Sequence, residues 1–343
     1  MDLHKIKEKI SSDEYGFLRN NEHLGRNIIL LGLGGSHAYG TENENSDVDL
    51  RGIFLNSKED ILGLGEGYEQ YDSNATDSVI YSFNKIIKLL TNCNPNVIEL
   101  MGLKPEHYLY VSDVGRDLLD NKKMFLSKKA VHTFGGYASS QLRRLDNKSA
   151  RLVDQERREQ HILNSIKNAS YTFPEKYFTY PSDAINLYVD KAVSKDFASE
   201  IFMDINLQHY PLRDYATMWD EMKNIVSSYN KIGKRNKNAI DHGKLAKHMC
   251  HLIRLYIMVL DILENEEIIT YREKEHDLLM DIRSGKYLDD ERQPTKEFTK
   301  LVDYYEKRLE YAKEHTSLPE HPDYDQIRNF VISVNERIVK GEK

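Results

Sequence analysis

Two short groups of residues, separated by ten positions, have the types and spacing that phosphate and metal chemistry require. The first is the glycine turn Gly34-Gly35-Ser36, and the second is the carboxylate pair Asp47 and Asp49. Glycine lets a backbone bend tightly and bring its N–H groups close to an anion. Carboxylate oxygens are the hard ligands that Mg²⁺ selects. The stretch from Gly34 to Arg51 therefore predicts a phosphate cradle facing an oxygen-ligand metal site.

The elements around this stretch are predicted to be strands. The apolar run from Asn27 to Leu33 is short and bounded by glycine, which indicates a buried strand leading into the turn. Asp47 to Leu55 predicts a second strand, on which residues two apart face the same side, so both carboxylates and Arg51 would share one face. Ser78 to Phe83 predicts a third strand, with Asp77 directly before it.

Length, charge and cysteine usage narrow the class of protein. A chain of 343 residues exceeds what one core usually fills, which predicts two domains. The formal net charge of −7 argues against non-specific coating of long nucleic acids, although it allows a local basic pocket. Two cysteines, Cys93 and Cys250, make no disulfide framework. With no signal-peptide core and no membrane-length apolar run, the expected location is cytoplasmic, with no membrane partner.

The sequence pattern changes near residue 126. Residues 1–125 mix strand and helix patterns, whereas residues 126–343 have mainly helical periodicity with many charges. The predicted fold class is α+β: a small mixed sheet with helices, followed by a larger all-α domain. The predicted helices are Lys128–Asp146, Ser149–Ser170, Ser182–Val193, Tyr215–Lys231, Asp241–Glu264, Arg272–Ser284, Thr295–Glu314 and Pro322–Val339.

Three common phosphate-binding motifs do not fit the turn. A dinucleotide fingerprint counted from Gly32 would end on a glycine, but that position is His37. A Walker loop needs Gly-Lys followed by Ser or Thr, and a kinase needs its own lysine and catalytic loop. The remaining pattern is Gly-Ser followed, after ten residues, by Asp-x-Asp.

That pattern resembles the signature of the DNA polymerase β-like nucleotidyltransferase superfamily. The longer strings from Gly35 to Gly40 and from Ser46 to Phe54 are similar to one branch, the predicted nucleotidyltransferases that include polymerase-β-like proteins of RNA repair pathways. Further similarity to that branch lies at Asp77 with Tyr81-Ser82, at Asn94 to Leu100, at Phe134 to Ala138 with Gln141-Leu142, and at Lys247 to Leu255.

The resemblance implies an N-terminal polymerase-β-like catalytic domain in residues 1–125 and a helical domain for nucleotide and acceptor binding in residues 126–343. It implies a transferase that moves an NMP or dNMP from an NTP or dNTP to a hydroxyl, releasing pyrophosphate, with Mg²⁺ or Mn²⁺ as cofactor. Asp47, Asp49 and Asp77 would be the catalytic metal ligands, with Asp72, Glu69 and Glu99 as rivals for the third position. Gly34, Gly35 and Ser36 would bind the β- and γ-phosphates.

Other residues extend the expected nucleotide-binding site. His37 stands where the branch commonly has Arg, and neutral imidazole is a weaker phosphate partner. Arg51 would contact phosphate or pair with the carboxylates. On the helix near Asp241, four residues lie within an arc of roughly 80° and would either face the triphosphate or form a solvated face. These four are Lys244, Lys247, His251 and Arg254.

The acceptor is predicted less directly. Tyr137 and Gln141, followed by Arg143 and Arg144, are suited to stacking on a base, and the basic run Lys231–Lys237 could bind a polyanion. The resemblance and the basic run favour an RNA or DNA 3′ end. Transfer to a protein or small molecule remains an alternative because the net charge is acidic. A different class, a non-catalytic antitoxin or regulatory module, would be expected to have lost one of the three aspartates.

Overall fold

The computed structural model describes residues 3–43, 46–63, 67–138, 163, 185–191, 193, 199–234, 244–290 and 293–342. It separates into two compact units. The first comprises Met1–Ser140, Cys250–Ile282 and Thr299–Lys343, and the second comprises Gln141–Met249 and Arg283–Phe298. The division into a catalytic domain ending at residue 125 and a helical domain after it stays a prediction.

A five-stranded mixed sheet forms the centre of the first unit. Its strands are β1 (Ile28–Leu33), β2 (Leu50–Phe54), β3 (Gln70–Ser73), β4 (Ser78–Ser82) and β5 (Tyr108–Val111). They are arranged in the order β3-β4-β2-β1-β5, and only the β2–β4 pair is parallel. All six residues of β1 are buried, as its continuous apolar run predicts for a central strand.

Helices of the first unit precede, connect and follow these strands. They are α1 (Leu3–Ser11), α2 (Phe17–Asn20), α3 (Gly35–Tyr39), α4 (Lys58–Leu62), α5 (Phe83–Thr91), α6 (Pro95–Ile98), α7 (Asp113–Asp120) and α8 (129–138). Short 3₁₀ turns lie at Asp13–Tyr15, Gly25–Asn27, Glu99–Gly102, Pro105–His107 and Lys122–Phe125. In α5 the four buried residues recur at helical spacing, so one face of this helix packs into the core.

The second unit contains a two-stranded antiparallel sheet of β6 (Ile185–Lys191) and β7 (Ser199–Ile205). The predicted helix Ser182–Val193 is therefore wrong. Apolar and polar residues alternate along β6, with Ile185, Leu187 and Val189 at every second position. That period of two suits a pleated strand, and the cross-strand pair Tyr188 and Phe202 stacks with ring centroids 6.0 Å apart.

Apart from this hairpin, the described residues after 205 are mainly helical, so the α+β fold class is confirmed. The helices are α9 (Leu212–Lys234), α10 (Lys244–Asn265), α11 (His276–Ser284), α12 (Lys296–His315) and α13 (Tyr324–Lys340). Each corresponds to a predicted helix, but α11 begins four residues later than predicted. Residues 271–275 form a bend and a turn instead, and the backbone N–H groups of Thr270 and Arg272 donate to the carbonyls of Gly102 and Tyr39. The predicted helix Ser149–Ser170 lies outside the described residues except at residue 163.

Within the described ranges, no helix is long and apolar enough to cross a lipid bilayer.

Candidate active site

The glycine turn follows β1 directly and opens α3. Gly34 is the N-cap of this helix in extended conformation, and Gly35 has a φ of +53°, a region that side chains with a Cβ rarely adopt. Gly34 is buried, whereas Gly35 and Ser36 are partly exposed. The turn therefore presents its second and third residues to solvent, as a phosphate cradle requires.

Asp49 lies directly against this turn. Its backbone carbonyl accepts a hydrogen bond of 2.8 Å from the Gly34 N–H, which continues the β1–β2 ladder beyond its last pair, Leu33 with Leu50. Its carboxylate fills the space beside Gly35, where an added Cβ would lie 1.6 Å from Oδ2 of Asp49. The absence of a side chain at Gly35 is what allows a carboxylate to sit on the turn.

Asp47 and Asp49 are placed just before β2 and not on it, because the strand begins at Leu50. The prediction of a strand from Asp47 is wrong in its boundary. The burial pattern still alternates: Val48 and Leu50 are buried, whereas Asp47 is exposed and Asp49 partly exposed. This alternation indicates that both carboxylates lie on the solvent side of an extended segment.

Tyr15 holds the backbone of this segment in place, a role that the sequence patterns did not predict. Its hydroxyl donates a 3.2 Å hydrogen bond to the backbone carbonyl of Val48. Burial, with further contributions from Glu14, Asp49 and Asp47, raises the pKa of the Tyr15 phenol to about 12. The phenol therefore stays neutral and donates to the backbone at Val48, between the two aspartates.

Asp77 precedes β4 and reaches the same end of the sheet. Leu50 pairs with Ser78 in the parallel β2–β4 ladder, so Asp49 and Asp77 are adjacent at its start. Asp77 has a φ of +43° and a side chain that is 65% exposed. Its carbonyl accepts a 2.6 Å hydrogen bond from Nη1 of Arg51, and its carboxylate lies 3.6 Å from Nη2 of Arg51. Arg51 therefore pairs with a candidate metal ligand.

The three rival carboxylates have other partners. Glu69 forms a 2.8 Å ion pair with Lys85, and Asp72 accepts from the side-chain amide of Gln70. Glu99 accepts a 2.6 Å hydrogen bond from the Tyr39 hydroxyl, and burial raises the pKa of its carboxyl group. Among the described residues, no three His, Cys, Asp or Glu side chains are close enough together to hold a metal ion.

His37 lies inside the first unit, with 3% of the residue exposed. Its Nδ1 is 4.0 Å from a carboxylate oxygen of Glu42, and burial lowers the pKa of the imidazole. Buried side-chain atoms without a hydrogen-bond partner among the described residues include Nε2 of His37, Oγ1 of Thr41 and Nδ1 of His107. The His37 ring therefore lies in the protein interior and not on the exposed side of the glycine turn.

The predicted basic stripe of α10 is divided between the two units. Arg254 belongs to the first unit, where its Cζ lies 3.7 Å from the centroid of the Tyr39 ring. Its Nη2 lies 2.9 Å from Nδ1 of His251. Lys247 is exposed and belongs to the second unit, whereas for Lys244 only the backbone is described. Arg254 thus contacts Tyr39 of α3, and His251 contacts Arg254.

The predicted acceptor-binding residues are described only in part. The Tyr137 hydroxyl accepts a 3.1 Å hydrogen bond from the side-chain amide of Asn96. Gln141, Arg143 and Arg144 lie outside the described residues. In the basic run, α9 extends to Lys234, and positions 235–237 are likewise outside the described residues.

Comparison with known families identifies the class of protein to which the region around the glycine turn is similar. Residues 7–173 match the model of the RNA repair pathway DNA polymerase beta family. The predicted resemblance to the polymerase-β-like nucleotidyltransferases is confirmed over these residues, which include the glycine turn and all three aspartates.

One curated relative covers more of the chain. It is an uncharacterised 38.9 kDa protein from the nrdC-mobD intergenic region of Enterobacteria phage T4, 21% identical over 285 residues, which cover 74% of this chain and 81% of that protein. No solved structure matches the chain.

Proposed function

We propose that the chain is a divalent-metal-dependent nucleotidyltransferase that moves an NMP or dNMP from an NTP or dNTP to a hydroxyl and releases pyrophosphate. The observation that carries the proposal is the contact between Asp49 and the turn at Gly35. An oxygen ligand beside a partly exposed glycine turn can hold a metal ion and a phosphate at the same place. The family match over residues 7–173 supports the same reaction class.

The residues at the turn fit Mg²⁺ or Mn²⁺ in donor type. Asp47 and Asp49 offer carboxylate oxygens on the solvent side of one segment, and Asp77 is adjacent through the β2–β4 register. We propose these three as the metal ligands; their side chains would have to converge on the ion, because no three such groups meet among the described residues. When bound, divalent ions neutralise triphosphate charge and lower the pKa of an attacking hydroxyl. Arg51, which pairs with Asp77, would either keep that partner or turn to a phosphate oxygen.

The protein's own groups would bind and orient the triphosphate. The backbone N–H groups of Gly35 and Ser36 and the Ser36 hydroxyl would donate to phosphate oxygens, because these two residues are partly exposed. Arg254 would add a positive charge from α10, and Lys244, Lys247 and His251 remain proposed contributors. The buried His37 ring would support the turn from beneath, without a direct phosphate contact. Positioning and charge neutralisation supply most of the catalysis in phosphoryl chemistry.

We propose an RNA or DNA 3′ end as the acceptor. The support is the family description, which names an RNA repair pathway, and the basic run Lys231–Lys237. The net charge of −7 keeps a protein hydroxyl as the alternative acceptor.

Label transfer tests the proposal. Purified protein is incubated with α-phosphate-labelled NTPs and dNTPs, Mg²⁺ or Mn²⁺, and a panel of RNA, DNA and protein acceptors, and pyrophosphate release is followed in parallel. We expect labelling of at least one acceptor, and a loss of at least about 100-fold in Asp49→Asn, because a metal ligand supplies several kcal/mol of charge stabilisation.

Two further variants sharpen this experiment. Asp77→Asn and Asp72→Asn separate the proposed third ligand from its neighbour on β3, and only the former should lose activity. Asp325→Asn, a surface residue of α13 whose side chain is 80% exposed, is the matched control and should label at the wild-type rate. Absence of labelling and of triphosphate binding in the wild-type protein would contradict the proposal; binding without transfer would identify a non-catalytic nucleotide-binding module.

A further inference from the structure

A buried tyrosine at the end of α3 connects the glycine turn to a carboxylate that the sequence places sixty residues away. Tyr39 is buried, and its hydroxyl donates a 2.6 Å hydrogen bond to Oε2 of Glu99. Its backbone carbonyl accepts a 3.1 Å hydrogen bond from the Arg272 N–H. The Glu99 carbonyl is held in turn by the Thr270 hydroxyl at 2.7 Å. The tyrosine ring is therefore fixed at its hydroxyl and at its backbone.

A guanidinium group stacks on the face of the Tyr39 ring. Cζ of Arg254 lies 3.7 Å from the Tyr39 ring centroid, well inside the range of a cation–π contact. Its Nη2 is 2.9 Å from Nδ1 of His251. Among the described residues, Nε of Arg254 is buried without a hydrogen-bond partner. The guanidinium is thus oriented by a ring and a histidine while one of its donors remains unused within the described chain.

The position of this group relates it to the glycine turn. Tyr39 follows Ser36 by three residues within α3, and residues three apart lie on the same side of a helix. Arg254 and Arg51 both interact electrostatically with Glu99, so this carboxylate lies in the field of two arginines at the candidate active site. The stacked guanidinium is thus a cation of α10 that contacts α3 within the first unit.

We propose that Tyr39 and Glu99 are positioning residues that hold Arg254 in place to bind the phosphates of the incoming triphosphate. Glu99 fixes the Tyr39 hydroxyl, the Tyr39 ring supports the planar guanidinium, and Arg254 makes the phosphate contact. A lysine could not replace this arginine, because an ammonium group has neither the planar surface nor the fixed fork of donors. The inference rests on the proposed function, since it concerns the binding of its substrate.

Binding measurements test each step of this arrangement. The dissociation constants of Mg-ATP and of inorganic tripolyphosphate are measured by calorimetry for the wild-type protein, Arg254→Ala, Arg254→Lys, Tyr39→Phe and Tyr39→Leu. Arg254→Ala should weaken both ligands by about ten-fold or more, as expected for a charge-assisted hydrogen bond. Arg254→Lys should bind nearly as weakly as Arg254→Ala, although it keeps the charge.

The tyrosine variants separate the ring from its hydroxyl. Tyr39→Phe keeps the stacked ring and should weaken binding only a few-fold, whereas Tyr39→Leu should weaken it nearly as much as Arg254→Ala. The double variant Tyr39→Leu with Arg254→Ala should be no weaker than Arg254→Ala alone, because both changes remove one interaction. Glu99→Gln should resemble Tyr39→Phe.

Tyr256→Phe is the matched control. Tyr256 is also a buried tyrosine of the first unit, and it donates a 2.9 Å hydrogen bond to Glu306. Removing the Tyr256 hydroxyl should leave both dissociation constants unchanged. This control separates the positioning of Arg254 from a general effect of losing a buried tyrosine–glutamate hydrogen bond.

The outcomes distinguish this inference from the proposed function. If the wild-type protein binds neither ligand, the proposed function itself is contradicted. If it binds, and Arg254→Lys binds as tightly as the wild type, the positioning inference is overturned. It is also overturned if a folded Tyr39→Leu keeps wild-type affinity. Should Tyr39→Leu fail to fold, two other affinities decide the question: that of Arg254→Lys, and that of the double variant Tyr39→Phe with Arg254→Lys. If the losses of binding free energy in the two single variants add fully in the double variant, the inference is overturned.

Discussion

Gly35 combines two requirements that only glycine meets. Its φ of +53° lies in the left-handed region, and the volume of its missing Cβ is filled by the carboxylate of Asp49. Gly136 has neither constraint. At Gly136, in α8, an added Cβ would meet no atom within 4 Å. The two residues therefore allow the same substitution to be compared in opposite environments.

We expect Gly35→Ala to destabilise the protein by about 1–2 kcal/mol and to abolish triphosphate binding, because the methyl group strains the backbone and displaces Asp49. Gly136→Ala should instead raise the free energy of unfolding by about 0.4–1 kcal/mol, since alanine restricts the unfolded chain and favours a helix. Urea unfolding and calorimetry measure the two effects. A Gly35→Ala protein with wild-type affinity would show that the turn does not bind the phosphates.

At the scale of elements, the segment between α10 and α11 packs against the C-terminal end of α3 and pairs with α10. Tyr271 packs its ring against Gly40, where an added Cβ would lie 2.5 Å from Cε2 of the tyrosine. Arg272 is 2% exposed, and its guanidinium donates to the carboxylate of Asp261 on α10. A buried arginine without its carboxylate would be strongly unfavourable, so this pair holds the segment in a single arrangement.

We expect Asp261→Ala to lower the free energy of unfolding by about 3 kcal/mol, because it leaves the buried Arg272 charge unpaired. The double change Asp261→Leu with Arg272→Met should recover much of this loss by replacing the pair with apolar packing. Asp303→Ala, at an exposed position of α12, is the control and should change stability by less than about 0.5 kcal/mol. Equal stability of Asp261→Ala and Asp303→Ala would refute this account.

At the scale of the whole molecule, the first unit is completed by the last helix of the chain. In α13, Phe330 packs against Phe83 of α5 with ring centroids 5.9 Å apart. The Asn335 side chain donates a 3.3 Å hydrogen bond to that of Asn84, and the Asp323 N–H donates to the Met124 carbonyl at 2.9 Å. The core around the sheet therefore depends on residues at both ends of the sequence.

Two isoleucines of α13 test this dependence. Ile327 is 6% exposed and Ile332 is 49% exposed. We expect Ile327→Ala to destabilise the protein by about 2–4 kcal/mol through lost burial and a cavity, and Ile332→Ala to change stability by less than about 0.5 kcal/mol. Denaturant unfolding followed by circular dichroism measures both. Similar small effects at the two positions would indicate that α13 is not part of the cooperative core.

Sequence patterns predicted the long and strongly periodic elements better than the short ones. Helices α10, α12 and α13 were predicted within three residues at each end, because their apolar positions recur over several turns. Strands β3 and β5 were missed, since each has four residues and only partial burial, which leaves little periodic signal. The helix predicted over β6 is wrong, because its apolar residues alternate as on a strand.

The amino-acid sequence by itself determined the Gly-Ser turn, the spacing to Asp47 and Asp49, and with them the family resemblance. These features are local, because a strand, a glycine turn and an extended segment follow from neighbouring residues. The pairing of Tyr39 with Glu99 and Arg254, and of Arg51 with Asp77, was decided only by the tertiary structure. Such contacts join residues far apart along the chain, and packing of separate elements, not any local pattern, brings them together.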